Sequence, residues 1–316
     1  MSTSISIPTT NANTAYLFPG QGSQKVGMGL SFFEKSPSVK RLFNRIDEIL
    51  DKPLSKIIFY GPEEELNKTE NAQPSIMAVS LAAIINMQES LKNSMPAPAF
   101  VAGHSLGEFT AIAATNSLDI DSCINLVKER ANLMQKACNE NPGTMAAILG
   151  LPINEIKKIE TQFDIHISNI NSQEQIVISG QEKEVENAIL MAKNLKARKS
   201  IMLKVNGAFH SPLMKSTIPG FKKFVKKLDF KNPNIPILAN ITGKPIFDSH
   251  GIQKEIVSQI CECVQWEETM KFMIEDGITN FIEIGPGTAL SSIAKRMSKK
   301  LNVLSIQNTE DIKKIK

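Results

Sequence analysis

The sequence predicts an α/β protein: a parallel sheet with helices on its faces, carrying a smaller βαββαβ unit inserted into it. Two observations predict this. Short apolar runs alternate with stretches of helical periodicity over residues 15–140 and again over 207–310, the pattern of a parallel sheet. Between them, residues 141–206 switch to shorter, strand-rich segments in the order βαββαβ. A length of 316 residues, 42% hydrophobic and 22% charged, suits one large domain or two ordinary ones and excludes wholesale disorder.

The elements follow in order. Residues 1–14 are polar and read as a disordered tail. The apolar run 15–18 is a strand ending at Pro19-Gly20, a turn signal. Residues 38–50 place Val39, Leu42, Phe43, Ile46 and Leu50 at helical spacing, and 74–91 is a second helix rich in Ala, Ile and Leu. The strand 99–102 runs into Gly103, and helices follow over 108–115 and 121–137. In the insert, strands at 145–149, 165–167, 176–179 and 201–205 alternate with helices at 153–163 and 182–195, the ferredoxin-like order. The larger unit resumes at about residue 207 with helices at 218–228, 252–261 and 267–275 and strands at 237–238 and 280–284. The last strand meets Gly285-Pro286-Gly287 and a further helix.

Charge and cysteine content narrow the function. Thirty-six Lys and Arg against 32 Asp and Glu leave +4, and no nucleic-acid module accompanies it. One Trp and two Tyr are too few for a base-stacking surface, so no nucleic-acid partner is expected. No apolar run spans a bilayer and no secretory leader is evident, so the expected setting is the cytoplasm, without a membrane partner. Cys123, Cys138, Cys261 and Cys263 lack metal-ligand spacing. Cys261 and Cys263 alternate as on a strand, and idle reduced thiols with no metal are the expectation.

The sharpest chemical signal is Gly103-His104-Ser105-Leu106-Gly107. A tight strand-to-helix turn crowds its own backbone, so small residues flank the apex two positions either side and the apex serine is thrust into the open beside a helix N-terminus. Ser105 is therefore the candidate nucleophile, and it needs a base. Of four histidines, His104 adjoins Ser105 and should point away from it, His166 lies in a strand of the insert, and His250 sits in a polar turn. His210, in the loop Asn206-Gly207-Ala208-Phe209-His210-Ser211-Pro212, remains as the base. No carboxylate stands out as a third member, and a backbone carbonyl could orient the imidazole.

Two further segments are unusual. Phe18-Pro19-Gly20-Gln21-Gly22-Ser23-Gln24 lacks the Lys-Ser/Thr of a phosphate loop; it reads either as a plain structural turn or as a donor of a backbone N–H to a developing oxyanion. Arg130 is one of only five arginines and falls among Leu126, Val127, Leu133 and Met134, so it requires an anion. Either an internal Asp or Glu or a substrate carboxylate gripped by its planar fork satisfies it.

With these segments stands a resemblance. Phe18 to Gln24, Gly103-His104-Ser105-Leu106-Gly107-Glu108, Ala208-Phe209-His210-Ser211, Val264-Gln265-Trp266 and Glu283-Ile284-Gly285-Pro286-Gly287 occur in an order that resembles the malonyl-CoA:acyl carrier protein transacylases of fatty-acid and polyketide synthesis, over residues 16–306. The resemblance implies an α/β-hydrolase-like core with an inserted ferredoxin-like domain. It implies that Ser105 is acylated with His210 as base, that the N–H groups of Gln21 and Leu106 form the oxyanion hole, and that Arg130 grips the malonate carboxylate. It also implies that the carbonyl of Gln265 orients the histidine and that Phe209 marks malonyl selection. The partners implied are malonyl-CoA and a holo acyl carrier protein, with no resident cofactor and with a monomer sufficing. Carrier proteins are acidic, so two basic clusters are docking candidates: Arg198 and Lys199 after the insert's second helix, the favoured one, and Lys222, Lys223, Lys226 and Lys227. Plain solvated surface is the alternative for both. An acyl hydrolase clearing stalled chains and a non-catalytic docking subunit are the rival readings; Arg130 argues against the first and the retention of Ser105 and His210 against the second.

Overall fold

Among the described residues, ten strands form two sheets. The structure is a computed structural model describing residues 5, 7–9 and 13–315. In chain order the strands are β1 (Thr14–Phe18), β2 (Phe100–Gly103), β3 (Thr144–Leu149), β4 (Ile165–Ser172), β5 (Gln175–Gly180), β6 (Lys199–Met202), β7 (Ile237–Leu238), β8 (Pro245–Ile246), β9 (Asn280–Ile284) and β10 (Asn302–Ile306). The larger sheet has the order β10-β9-β1-β2-β7-β8 and is parallel except at the β8 edge. Its central strand β1 is buried along its whole length, as expected of a strand covered by helices on both faces. Because β1 and β2 are parallel neighbours, paired from Ala15 with Phe100 to Phe18 with Gly103, the loops after them leave the sheet side by side. Ligands bind at that edge of parallel sheets, beyond the carboxyl ends of the strands.

The smaller sheet is antiparallel with the order β4-β5-β3-β6, and its helices Ile153–Gln162 and Glu182–Asn194 complete the βαββαβ unit. Its own core is built from Ile148, Ile156, Ile165, Ile178 and Val185. Met145, Ala147 and Val177 instead belong to the main apolar core, so one face of this sheet lies against the larger unit. Val264 N–H donates to the Ser168 carbonyl and Ile170 N–H to the Val264 carbonyl, stitching β4 to the segment before the helix Trp266–Glu275. No helix among the described residues is long and apolar enough to cross a membrane.

Several expectations are corrected. The 1–14 tail is not uniformly loose: Ile5 and Ile7 are buried in the main core because two isoleucines two residues apart can face one apolar surface, and Thr14 opens β1. Residues 1–4, 6 and 10–12 of that tail lie outside the described residues. The helix predicted from residue 74 begins at Thr69, with Pro74 inside it. Proline removes the N–H that would bond to the carbonyl of Glu70. Lys52 Nζ donates to that carbonyl instead, at 3.3 Å. Cys261 and Cys263 lie in a turn after the helix Ser249–Ser258 rather than on a strand. His250 stands exposed in the first turn of that helix, which is capped by Asp248, and not in a free turn.

Candidate active site

Ser105 sits at the apex of the bend between β2 and the helix Gly107–Ala114 with φ of 50°, a left-handed conformation that costs a non-glycine residue ~1–3 kcal/mol and is held by its surroundings. The flanking glycines are sterically required. A Cβ on Gly103 would lie 1.9 Å from the carbonyl carbon of Gly107, and one on Gly107 would lie 2.1 Å from the Phe18 carbonyl oxygen. The bend is further pinned by His104 N–H donating to the Phe18 carbonyl and by Ser105 N–H donating to Asn240 Oδ1 at 2.7 Å.

His210 also has a left-handed backbone, φ 56°, and is 4% exposed. Its Nε2 lies 2.8 Å from Ser105 Oγ, and its Nδ1 lies 2.8 Å from the Gln259 carbonyl and 3.2 Å from that of Glu262. Carbonyl oxygens only accept, so Nδ1 carries the ring proton and Nε2 presents its lone pair to the serine hydroxyl. This is the geometry of a general base. The histidine-orienting role expected of Gln265 is corrected here: the Gln265 carbonyl accepts from Thr269 N–H and Oγ1, the first turn of the next helix, and is thereby spent. Gln259 and Glu262 take its place.

Arg130 projects from the helix Ile120–Glu140 into the same space and is 1% exposed. Its Nη1 donates to Gln73 Oε1 at 2.7 Å; its Nη2 donates to Gln259 Oε1 at 3.0 Å and to Ser105 Oγ at 3.2 Å. Its plane is set beside the Phe109 ring, 5.0 Å to the centroid. No Asp or Glu of the described residues pairs with it, and its buried Nε has no acceptor. Of the two alternatives left open by the sequence, the internal carboxylate partner is therefore absent. Burial lowers the guanidinium to about 10, opposed by the charge of Glu108, so it stays cationic at neutral pH. A buried cation ringed by neutral acceptors, with one donor unused, has the chemistry to take a carboxylate.

A cavity of about 190 Å³ joins these groups; Gln21, Ser105, Arg130, Phe209 and His210 line it, with Met145, Ala147 and Val177 of the small sheet as a roof. A second hollow of about 580 Å³ opens from it past Gln21 and His104 toward Lys204 and Arg296. The N–H groups of Gln21 and Leu106 find no acceptor among the described residues, and they come from the loops after β1 and β2. Gly20 permits the approach of those loops, since a Cβ there would lie 2.5 Å from the His104 carbonyl oxygen. His104 makes no hydrogen bond to Ser105: its Nε2 lies 2.9 Å from Asn171 Oδ1 and its ring packs near Trp266, and it shares the lining of the cavity. His166 stays in β4, near Asp164. Arg198 and Lys199 are exposed on the small unit, Arg198 paired with Glu174 at 3.1 Å, and neither lines the reaction cavity. Among the described residues no cluster of His, Cys, Asp and Glu is suited to a metal.

The family model for the acyl transferase domain matches residues 15–314. A malonyl CoA-acyl carrier protein transacylase of Bacillus subtilis is 38% identical over 303 residues, covering 94% of each chain. The chain belongs to the malonyl-CoA:acyl carrier protein transacylase family. Solved structures agree. An acyl-carrier-protein S-malonyltransferase from Bartonella henselae superposes with a TM-score of 0.90 at 35% identity, covering 95% of this chain and 97% of that one. A malonyl-transacylase solved in complex with its type II polyketide synthase acyl-carrier protein gives 0.91 at 32% identity, covering 96% of this chain and 99% of that one. The family's α/β architecture is thus present, and the α/β-hydrolase-like core with its ferredoxin-like insert is the expected fold class.

The electrostatics of the site lead to an expected pH dependence. Burial first, then repulsion from Arg130, lowers His210 to about 3, while its carbonyl contacts oppose that shift. A lowered pKa keeps the base form down to more acidic pH. The acid limb of kcat/KM for acylation, which reports the free enzyme, is therefore expected below pH 4 rather than near 6.5. A bound carboxylate on Arg130 removes the second cause, so the acid limb of kcat is expected at higher pH than that of kcat/KM. Pre-steady-state acylation rates from about pH 2.5 to 8, at limiting and at saturating malonyl-CoA, check both.

Proposed function

We propose that the chain transfers the malonyl group of malonyl-CoA to the phosphopantetheine thiol of an acyl carrier protein through a malonyl ester on Ser105, in fatty-acid or polyketide synthesis. The observation that carries this reading is the Arg130 guanidinium, buried without an acidic partner and 3.2 Å from the Ser105 hydroxyl. An ester on Ser105 with a free carboxylate places that carboxylate where the guanidinium is short of an anion. The malonyl-CoA-acyl carrier protein transacylase relatives support the same substrates.

His210 Nε2 takes the proton of Ser105 Oγ as that oxygen attacks the thioester carbonyl. The Gln21 and Leu106 N–H groups receive the oxyanion, each donor worth ~2.7–4 kcal/mol of barrier. The C–S bond breaks and the CoA sulfur leaves with the proton from His210. The carrier thiol then enters, gives its proton to His210 and attacks the ester; the C–O bond breaks and Ser105 Oγ recovers the proton. Arg130 holds the carboxylate through both halves. An acetyl group would leave the guanidinium unpaired, and that asymmetry selects the dicarboxylic acyl group. Phe209, 5% exposed in the cavity wall, limits the room beside it.

Every group in this scheme comes from one chain, so a monomer suffices, and no resident cofactor is required. Four unpaired thiols suit a reducing compartment such as the cytoplasm. The hydrolase reading gains nothing from a buried guanidinium, and a docking subunit has no use for the 2.8 Å contact between Ser105 and His210. Intact-protein mass tests the proposal: malonyl-CoA should add one malonyl group, absent from Ser105→Ala, and a holo carrier protein should remove it and gain the same mass. Release of free malonate in place of transfer would overturn it. For docking at Arg198 and Lys199, charge reversal of both should raise KM for carrier protein several-fold and leave KM for malonyl-CoA unchanged; equal KM values for the carrier would exclude that surface.

A further inference from the structure

Behind the reacting groups lies a buried polar chain that takes no part in the proton transfers. Glu108 is 1% exposed, in the first turn of the helix that follows the bend, and makes no ion pair among the described residues. Its Oε1 accepts from Asn240 N–H at 3.0 Å and Asn240 Nδ2 at 3.1 Å, and its Oε2 accepts from Gln259 Nε2 at 2.5 Å. Burial first, then the nearby Glu255, pushes this carboxyl above the usual range, and the three N–H donors oppose that shift. Three donors and no acceptor around its oxygens are what the ionised form requires. Gln259, with no exposed surface, also gives Nε2 to the Ser105 carbonyl at 3.0 Å and takes Arg130 Nη2 on Oε1 at 3.0 Å. Asn240 in turn gives Nδ2 to the Gly103 carbonyl and accepts from Ser105 N–H.

These contacts define which way round the Gln259 amide must sit. Both neighbours of its nitrogen, the Glu108 carboxylate and the Ser105 carbonyl, can only accept; the neighbour of its oxygen, Arg130, can only donate. A flipped amide would set N–H against N–H at Arg130 and oxygen against oxygen at the other two positions. We propose that Gln259, held in this orientation by Glu108, is the positioning residue that keeps the Arg130 guanidinium aimed at Ser105 and so determines the preference for a charged acyl group. A neutral amide suits this role because it anchors the cation without neutralising it, whereas a carboxylate at the same distance would compete with the substrate's own. The negative charge sits one residue further back, on Glu108, where it favours the cation without touching it. This inference rests on the reading of Arg130 as the carboxylate receptor.

The deciding quantity is the ratio of kcat/KM for malonyl-CoA to that for acetyl-CoA, measured for the wild type, Glu108→Gln, Gln259→Met and the double variant. In Glu108→Gln an amide N–H faces Gln259, whose amide then turns and presents its own N–H groups to Arg130. The ratio is expected to fall about 30-fold or more, with KM for malonyl-CoA rising more than kcat falls. Gln259→Met removes the anchor while leaving the main-chain carbonyl that holds His210, and is expected to lower the ratio similarly. Because Glu108 acts through Gln259, the double variant should fall no further than Gln259→Met alone. A purely structural role would lower both substrates together, leaving the ratio within about threefold of wild type, and that result in either variant overturns the proposal; if one variant does not fold, the other carries the test. Independent, additive effects of the two substitutions on the ratio would also overturn it. Failure of the underlying reading looks different: the wild type itself would then show no preference for malonyl-CoA.

Discussion

Replacing His210 with alanine is expected to slow malonylation of Ser105 by ~10⁴- to 10⁶-fold, the range seen when a nucleophile loses the base that acts with it as a unit. No other imidazole can substitute. His104 is engaged by Asn171 and packs at a tilt against Trp266, His166 lies in the small sheet near Asp164, and His250 is exposed on a helix whose end, not its start, reaches the site. The ring of His210 is held by two main-chain carbonyls rather than by a carboxylate. Its imidazolium consequently has only partial charges to lean on in the first step, and the malonate brought to Arg130 completes the local balance. The substrate's charge thus helps the base as well as the binding. Rapid-quench measurement of the malonyl adduct checks the rate, and a loss smaller than about tenfold would remove His210 from the chemistry.

Arg130→Ala is expected to lower kcat/KM for malonyl-CoA by ~10²- to 10⁴-fold. The malonate carboxylate would then enter a closed pocket with no cation, and a buried charge deprived of its partner costs ~3–5 kcal/mol. Acetyl transfer should lose far less, because an acetyl group brings no charge to compensate. Arg130→Lys should recover only part of the loss, since one ammonium cannot bond Gln73, Gln259 and the substrate from a single planar fork. Removing the guanidinium also removes one of the causes depressing His210, so the acid limb of acylation should move upward in pH. Competition between malonyl-CoA and acetyl-CoA in one reaction measures the selectivity directly; equal losses on both would refute the role.

What the sequence revealed of this site depended on the kind of constraint involved. The bend was legible because its constraint is steric: only glycine fits where a Cβ would fall 1.9 or 2.1 Å from backbone atoms. His210 was legible by elimination, as one of four histidines, and Arg130 by its place among apolar neighbours on a buried helix face. The orienting carbonyl was misplaced onto Gln265 because a main-chain acceptor leaves no trace in side-chain identity. The groups that serve, Gln259 at the end of a helix and Glu262 in the turn after it, lie 49 and 52 positions from His210. Gln73, Asn240 and Gln259 are single polar residues in ordinary contexts, and only the fold shows that they converge. The alternating strands and helices were readable from periodicity, while the short helices Leu30–Lys35, Leu54–Tyr60 and Glu63–Asn67 are too brief for periodicity to declare itself.

A crystal structure of the malonyl-enzyme trapped on Ser105 would decide whether Arg130 is the carboxylate receptor. The free carboxylate of the adduct should lie within hydrogen-bonding distance of Arg130, using the Nε that lacks an acceptor in the unacylated protein, with the ester carbonyl oxygen facing the N–H groups of Gln21 and Leu106. A carboxylate turned outward toward Lys204 and Arg296, with Arg130 still bonded only to Gln73 and Gln259, is incompatible with that role.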